Sequence, residues 1–173
     1  MALDLRPLGK LIMRSLKVLG GKSTPSAASQ RQRTARTAVD PSTASYPGDF
    51  QGTAKVFYSP KPDGQPDPGE IVWSWVPYEE DHSQGKDRPV LIVARDGAWL
   101  LGLMLTSKDH DNDTPDYVDI GTGSWDRQRR PSEVKLDRII RVNPGAVRRE
   151  GAVLDNGRFQ GVARELRARH GWN

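Results

Sequence analysis

The strongest constraint on the fold is the step Asp96-Gly97, which separates two apolar runs at residues 90–94 and 99–105. Asp-Gly between strand-like runs makes a tight hairpin, because glycine adopts the positive φ that such a turn requires. Around this pair the same pattern recurs. Alternating and apolar stretches bounded by turn residues predict strands over 55–59, 70–76 (EIVWSWV), 117–120, 133–136 and 138–142, with PKPDGQPDP at 60–68 as an extended loop. Only the end of the chain reads as helix: Asp155 suits an N-cap, Phe159, Val162, Ala163 and Leu166 share one face, and Gly171 follows. Short strands at close spacing, with one terminal helix, imply a mainly β fold built as a small barrel with a C-terminal α-helix packed against it.

The first 45 residues follow different rules. Leu5, Leu8, Ile12, Leu16 and Leu19 recur at helical spacing while Lys10, Arg14 and Lys17 share another side, which predicts a short basic amphipathic helix. Such a helix either packs on its own domain or makes a weak contact, through residues 3–19, with anionic lipid or a partner groove. Charges interrupt every stretch that a signal peptide would need to keep apolar. From residue 20 to 45 almost no large apolar side chain occurs, so nothing offsets the entropy of ordering and a disordered linker is expected. The fragment LGGKS fails as a phosphate loop, since that motif needs glycine where Leu16 stands. The barrel domain is therefore expected over 46–173, a length suited to one core.

Composition narrows the chemistry. The chain has no cysteine, which removes disulfides, thiolate nucleophiles and cysteine-based zinc sites, and fits a reducing compartment; a cytoplasmic location is expected. No apolar run reaches the roughly 18 residues of a spanning helix. Charge is unevenly distributed: residues 1–45 hold eight Lys/Arg against two Asp, residues 46–125 six against fourteen acids, and residues 126–173 twelve against six. Basic ends around an acidic middle suit a polyanionic partner.

Several polar clusters are candidates for chemistry. In KDHDNDTPD (108–116) Asp109, Asp111 and Asp113 alternate as in a calcium loop, but Thr114 and Ile120 occupy the positions that need Gly and Glu, so a solvated loop is expected and no metal or cofactor. His82 lies in a polar loop where it can take or give a proton near neutrality; an idle surface histidine fits the same pattern. Arg88 is held extended by Pro89 just where the chain enters a strand, so its guanidinium stands on a rigid rim, available to a phosphate or to Asp87 or Glu80. Thr106, Ser107 and Lys108 close the next strand with two hydroxyls and an ammonium. Lys135 and Asp137, two apart in EVKLD, project from one face and fit either a site or a surface pair. Trp73 and Trp75 alternate and are expected in the core, whereas Trp125, near Arg127, Arg129 and Arg130, is the more favourable stacking surface.

The order of these elements is more telling than any one of them. GEIVWSWVPYEEDHSQGKDRPVLIVAR, then LMLTSKD, then RPSEVKLDRIIRV, resembles the MazF/PemK family of toxin endoribonucleases over about residues 69 to 170. The resemblance implies an SH3-like barrel with a C-terminal helix, a homodimer that cleaves single-stranded RNA without metal and is inhibited by a cognate antitoxin protein. It places Arg88 and Thr106 as catalytic residues, with His82, Lys135 and Asp137 completing the site and Ser132 at the start of a later strand. Lys86, Ser107, Trp125, Arg127, Arg129, Arg130 and Ser132 are the expected RNA contacts. Two features depart from the family pattern: the Gly85 to Arg88 spacing is one residue longer, and Lys135 stands where an arginine is usual. The rival expectation is a non-catalytic SH3-like module that binds RNA or a protein and is tethered by its N-terminal helix.

Metal-free cleavage needs a base for the 2′-hydroxyl proton, cationic donors for the crowded phosphorane and an acid for the departing 5′-oxygen. His82 or Asp137 is assigned as base, Arg88 as stabiliser and candidate acid, Lys135 as phosphate contact and Thr106 as hydrogen-bond donor. Products would carry 2′,3′-cyclic phosphate and 5′-hydroxyl ends.

Overall fold

The computed structural model describes residues 45–108, 110 and 114–173, apart from the side chains at 149–151. The amphipathic helix and nearly all of the linker expected over 1–45 lie outside the described residues. The remainder is mainly β. Strands β1 (Glu70–Pro77), β2 (Gly85–Asp96), β3 (Trp99–Thr106), β4 (Tyr117–Gly121), β5 (Ser132–Lys135), β6 (Ile140–Val142) and β7 (Arg149–Val153), with a short 3-10 turn at Pro144–Ala146 before β7, precede one α-helix, α1 (Asn156–His170). The strands form a curled antiparallel sheet in the order β4-β5-β3-β2-β1-β7, with β6 pairing β3 beside β5. Among the described residues no helix is long and apolar enough to cross a membrane.

The hairpin at Asp96-Gly97 forms as the sequence suggests. Asp96 pairs with Trp99, and Gly97 opens the two-residue turn at φ +59°. Side-chain alternation then sorts the sheet into two cores. Ile71, Leu91, Leu101, Leu103 and Leu105 join the buried face of α1, made by Phe159, Val162, Ala163 and Leu166. Val72, Val76, Val90, Ile92, Leu100, Ile140 and Val142 form a second cluster on the opposite face. The helix ends as its sequence predicts: the Asp155 carboxylate accepts from the Arg158 N–H at 3.0 Å, and Gly171 at φ +64° donates its N–H to Arg167 O at 3.0 Å.

Three expectations about strands are corrected. Residues 55–59 are not a strand. Their alternation is real, with Val56 buried and Phe57 exposed, but their backbone is met irregularly: Val56 N–H donates to Asn173 O and Phe57 N–H to Val93 O. β2 begins at Gly85 rather than 90, because β1 continues to Pro77 and pairs with the polar residues as readily as with the apolar ones. β7 was not expected. It is an edge strand against β1, where polar side chains are tolerated and the apolar pattern is weak.

Replacing Phe159, 1% exposed beneath the sheet, by alanine is expected to cost about 3–5 kcal/mol. Urea unfolding should show a lower midpoint with an unchanged slope.

Candidate active site

The site begins where the sheet parts. β2 and β3 pair from Asp96↔Trp99 back to Val90↔Met104, and there the ladder stops. Beyond it, Gly85 to Pro89 pair only with β1, while Leu105 and Thr106 pair only with β5. Pro89 has no N–H to carry the ladder further. The result is a fork, with β1 and β2 on one prong and β3, β5 and β4 on the other. Arg88 lies across from Ser74 on the face shared with Val72 and Val90, and Thr106 follows Met104 on that same face. Arg88 and Thr106 each stand two residues past the last β2–β3 pair, Val90↔Met104. Among the described residues nothing hydrogen-bonds or pairs with the Arg88 guanidinium. Asp87, on the other face of β2, is taken by Arg148 at 2.9 Å instead. The Thr106 hydroxyl accepts from the Lys108 N–H at 3.1 Å, which leaves its own proton free to donate.

Around the fork lies a dense charge network. Lys135 reaches Asp137 at 3.1 Å and Glu79 at 3.8 Å, so the acidic run after β1 meets the β5 prong. Burial lowers the Lys135 pKa, but the hydrogen bond and charge of Asp137, with Glu79, outweigh it and leave the ammonium above its usual range. Asp137 itself is exposed. It borders a small pocket with His170 and the chain at 50–53, to one side of the fork.

Arg138, next in sequence, is buried. It donates to Pro77 O at 2.8 Å, and its Nε and Nη2 grip Asp49 at 2.7 and 3.2 Å. Asp49 also receives the Tyr46 hydroxyl, and the Tyr46 ring meets His82 edge to face at 5.0 Å. Burial pushes the Asp49 carboxyl up, yet the Arg138 and Tyr46 hydrogen bonds bring it below the usual carboxylate range. Tyr46 is driven up by burial and then by Asp49. Arg141 secures the same segment, donating to Gly48 O and Asp49 O at 3.1 and 3.2 Å with its guanidinium 5.2 Å from the Phe50 ring centre. Residues 46–50 thus form a strap across the barrel. Tyr46, His82, Ser74, Trp75, Trp99 and Arg141 enclose a concavity of about 530 Å³, with Arg148 at its wall. Trp75 is 45% exposed there, which corrects its expected place in the core.

The expected RNA contacts divide. Lys86, Ser107, Arg127, Arg129 and Arg130 are exposed, and Arg130 pairs with Asp126 at 2.7 Å. Trp125 and Ser132 are corrections: they are 4% and 3% exposed and bonded to each other, indole N–H to hydroxyl, at 3.0 Å. The Trp125 ring folds back against Gly123, where a β-carbon would sit 1.9 Å from it, so the basic loop keeps its aromatic residue inside. Asp109, Asp111 and Asp113 of the acidic loop lie outside the described residues.

Sequence reasoning missed Tyr46, Asp49, Arg138 and Arg141, whose pairing spans some ninety residues. It also missed His110. Its Nδ1 lies 2.9 Å from Glu133, and its ring stacks on Tyr117 at 3.8 Å and 5°. Glu133 is the partner of Thr106 across β3 and β5, and Tyr117 is the partner of Lys135 across β4 and β5, so all four project from one face.

Residues 67–169 match the model of the PemK-like, MazF-like toxins of type II toxin-antitoxin systems. The chain belongs to this family. Solved structures with a similar fold include an endoribonuclease in complex with its cognate antitoxin from Mycobacterial species, at 16% identity and TM-score 0.48 over 61% of this chain and 95% of that one. MazE-MazF from Deinococcus radiodurans gives 19% and 0.47 over 63% and 98%, and the Mycobacterium tuberculosis toxin MazF-mt6 gives 14% and 0.43 over 60% and 98%. A comparison with curated proteins found no match. The fork, with Arg88 and Thr106, falls inside the span matched to the PemK/MazF-like family. The strap at 46–50 falls before it.

Because Asp49 has a folded pKa below its unfolded value, its stabilising contribution is present above about pH 4 and is lost as pH falls through the folded pKa. Asp49→Asn should cost about 3–5 kcal/mol at pH 7, since it leaves Arg138 buried without its counter-charge. The gap between wild type and variant in urea unfolding should stay constant from pH 7 to about pH 5 and narrow as the pH falls below about 4.

Proposed function

We propose that this protein is the toxin of a type II toxin-antitoxin pair and acts as an endoribonuclease that cleaves single-stranded RNA without a metal ion. One observation carries the reading: Arg88, unpaired among the described residues, and Thr106 each stand two residues past the last β2–β3 pair, on one face where the sheet divides. A phosphodiester seated in that fork would meet a guanidinium on one side and a hydroxyl donor on the other. Lys135, on the β5 prong, keeps its ammonium between Asp137 and Glu79.

The 2′-oxygen attacks phosphorus, the new O2′–P bond forms and the P–O5′ bond breaks, leaving a 2′,3′-cyclic phosphate and a 5′-hydroxyl. Arg88 and Thr106 stabilise the equatorial oxygens of the phosphorane, which carry the charge that builds up in the transition state. His82, on the loop of the β1 and β2 prong, takes the 2′-hydroxyl proton. Asp137 is the less favourable base, since it is ion-paired to Lys135 and faces the pocket beside His170. The exposed face of Trp75 and the guanidinium of Arg148 give the concavity beside His82 the character of a groove for a base and its phosphate. The same proposal includes a homodimer, a cognate antitoxin protein as inhibitor, and action in the cytoplasm.

Purified protein should cleave mixed RNA oligonucleotides in EDTA, with cyclic phosphate and 5′-hydroxyl ends. Arg88→Ala should lower turnover by about 10²–10³-fold. Binding without cleavage, or cleavage abolished by EDTA and restored by a divalent cation, would overturn the reading in favour of a binding module or a metal-dependent nuclease.

A further inference from the structure

The site as described lacks a good proton donor for the leaving oxygen. A guanidinium such as that of Arg88 stabilises charge well and transfers a proton poorly. Lys135 holds its proton more tightly than usual and is engaged by two carboxylates. The Thr106 hydroxyl gives up a proton only at high cost.

His110 meets the requirement. It follows Thr106 on the short segment that leaves β3, and it is tied back to β5 by Glu133, the residue across from Thr106. An ionised carboxylate can only accept, so Nδ1 carries a hydrogen and proton exchange falls to Nε2. Nε2 makes no hydrogen bond to any described residue. Tyr117 stacks flat against the ring and fixes its plane. The side chains of His110 and Glu133 are 20% and 14% exposed, so the pair is largely buried yet open to solvent. A carboxylate that sets the tautomer and an aromatic that sets the plane are what a proton-transferring imidazole needs. A histidine that merely decorated a loop would need neither.

Resting on the proposed RNA cleavage, we infer that His110 is the general acid of the reaction and Glu133 its positioning residue. The imidazolium Nε2–H gives its proton to O5′ as the P–O5′ bond breaks, and the neutral ring is left hydrogen-bonded to Glu133. The base stands on the other prong of the fork. In-line displacement places the attacking and leaving oxygens on opposite sides of phosphorus, so acid and base on opposite prongs suit it.

The test uses the full chain and an oligonucleotide with one ribonucleotide at a cleavage position mapped with the wild type. The scissile linkage is made either with the natural 5′-oxygen or with sulfur in its place, since a thiolate leaves without being protonated. His110→Ala should slow cleavage of the oxygen substrate by about 10²–10⁴-fold and that of the sulfur substrate by less than about tenfold. Glu133→Gln should show a smaller loss with the same sulfur rescue. His110→Gln replaces His110→Ala if the alanine variant does not fold, judged by its unfolding midpoint. Equal losses on both substrates, or no loss on either, would overturn the role of His110. Arg88→Ala serves as the separate control and should fall on both substrates. If it does not, or if the wild type cleaves neither substrate, the reading of the whole site fails and this inference with it.

Discussion

The guanidinium of Arg138 joins three parts of the chain that the sheet alone would leave apart. It holds the end of β1 through Pro77 O, the strap through Asp49, and by its own place in sequence the link between β5 and β6. Burying a charge this way is costly unless it is paired and its donors are met, and here the buried Nε, Nη1 and Nη2 each have an acceptor. Beside this clasp, the prong of β1 and β2 is tied to the far prong by the Trp73 indole N–H donating to Trp125 O at 3.1 Å, by the long Lys135 to Glu79 contact, and by the core that Ile71 and Leu91 share with Leu105 and Val134.

The two prongs of the fork carry Arg88 and Thr106 on one face while remaining unpaired by backbone. Pro89 lies just past the last β2–β3 pair, so Arg88 and Thr106, each two residues beyond that pair on one face, are left out of the ladder. A sheet that stayed paired to its end would bury the space a phosphate needs. The strap then adds Tyr46 beside His82, giving the site a wall from outside the span shared with the family.

Local physics made much of the fold legible. The Asp96-Gly97 turn, the strand-like runs of β1 and β3, and the Asp155 and Gly171 caps are each decided within a few residues, and each was read from the chain itself. Long-range partnership was not. Residues 55–59 look like a strand, yet their backbone is met by Asn173 and Val93, and β7 is too polar to announce itself. At the site, Arg88 stands out because Pro89 follows it. Nothing within DRIIRV marks Arg138 as buried, and only its distant partners Asp49 and Pro77 reveal its role. Trp125 sits among arginines in sequence but packs inward through Ser132. His110 is hidden in an acidic loop, and its partner Glu133 is 23 positions away.

The central claim is that the fork between β2 and β3 receives the scissile phosphate. A crystal structure with an oligonucleotide carrying a 2′-deoxy substitution at the mapped cleavage position would test it most directly, because that substrate binds but has no nucleophile. The account predicts the scissile phosphate within hydrogen-bonding distance of both the Arg88 guanidinium and the Thr106 hydroxyl. A phosphate seated on Arg127, Arg129 and Arg130, with the fork empty, would contradict it.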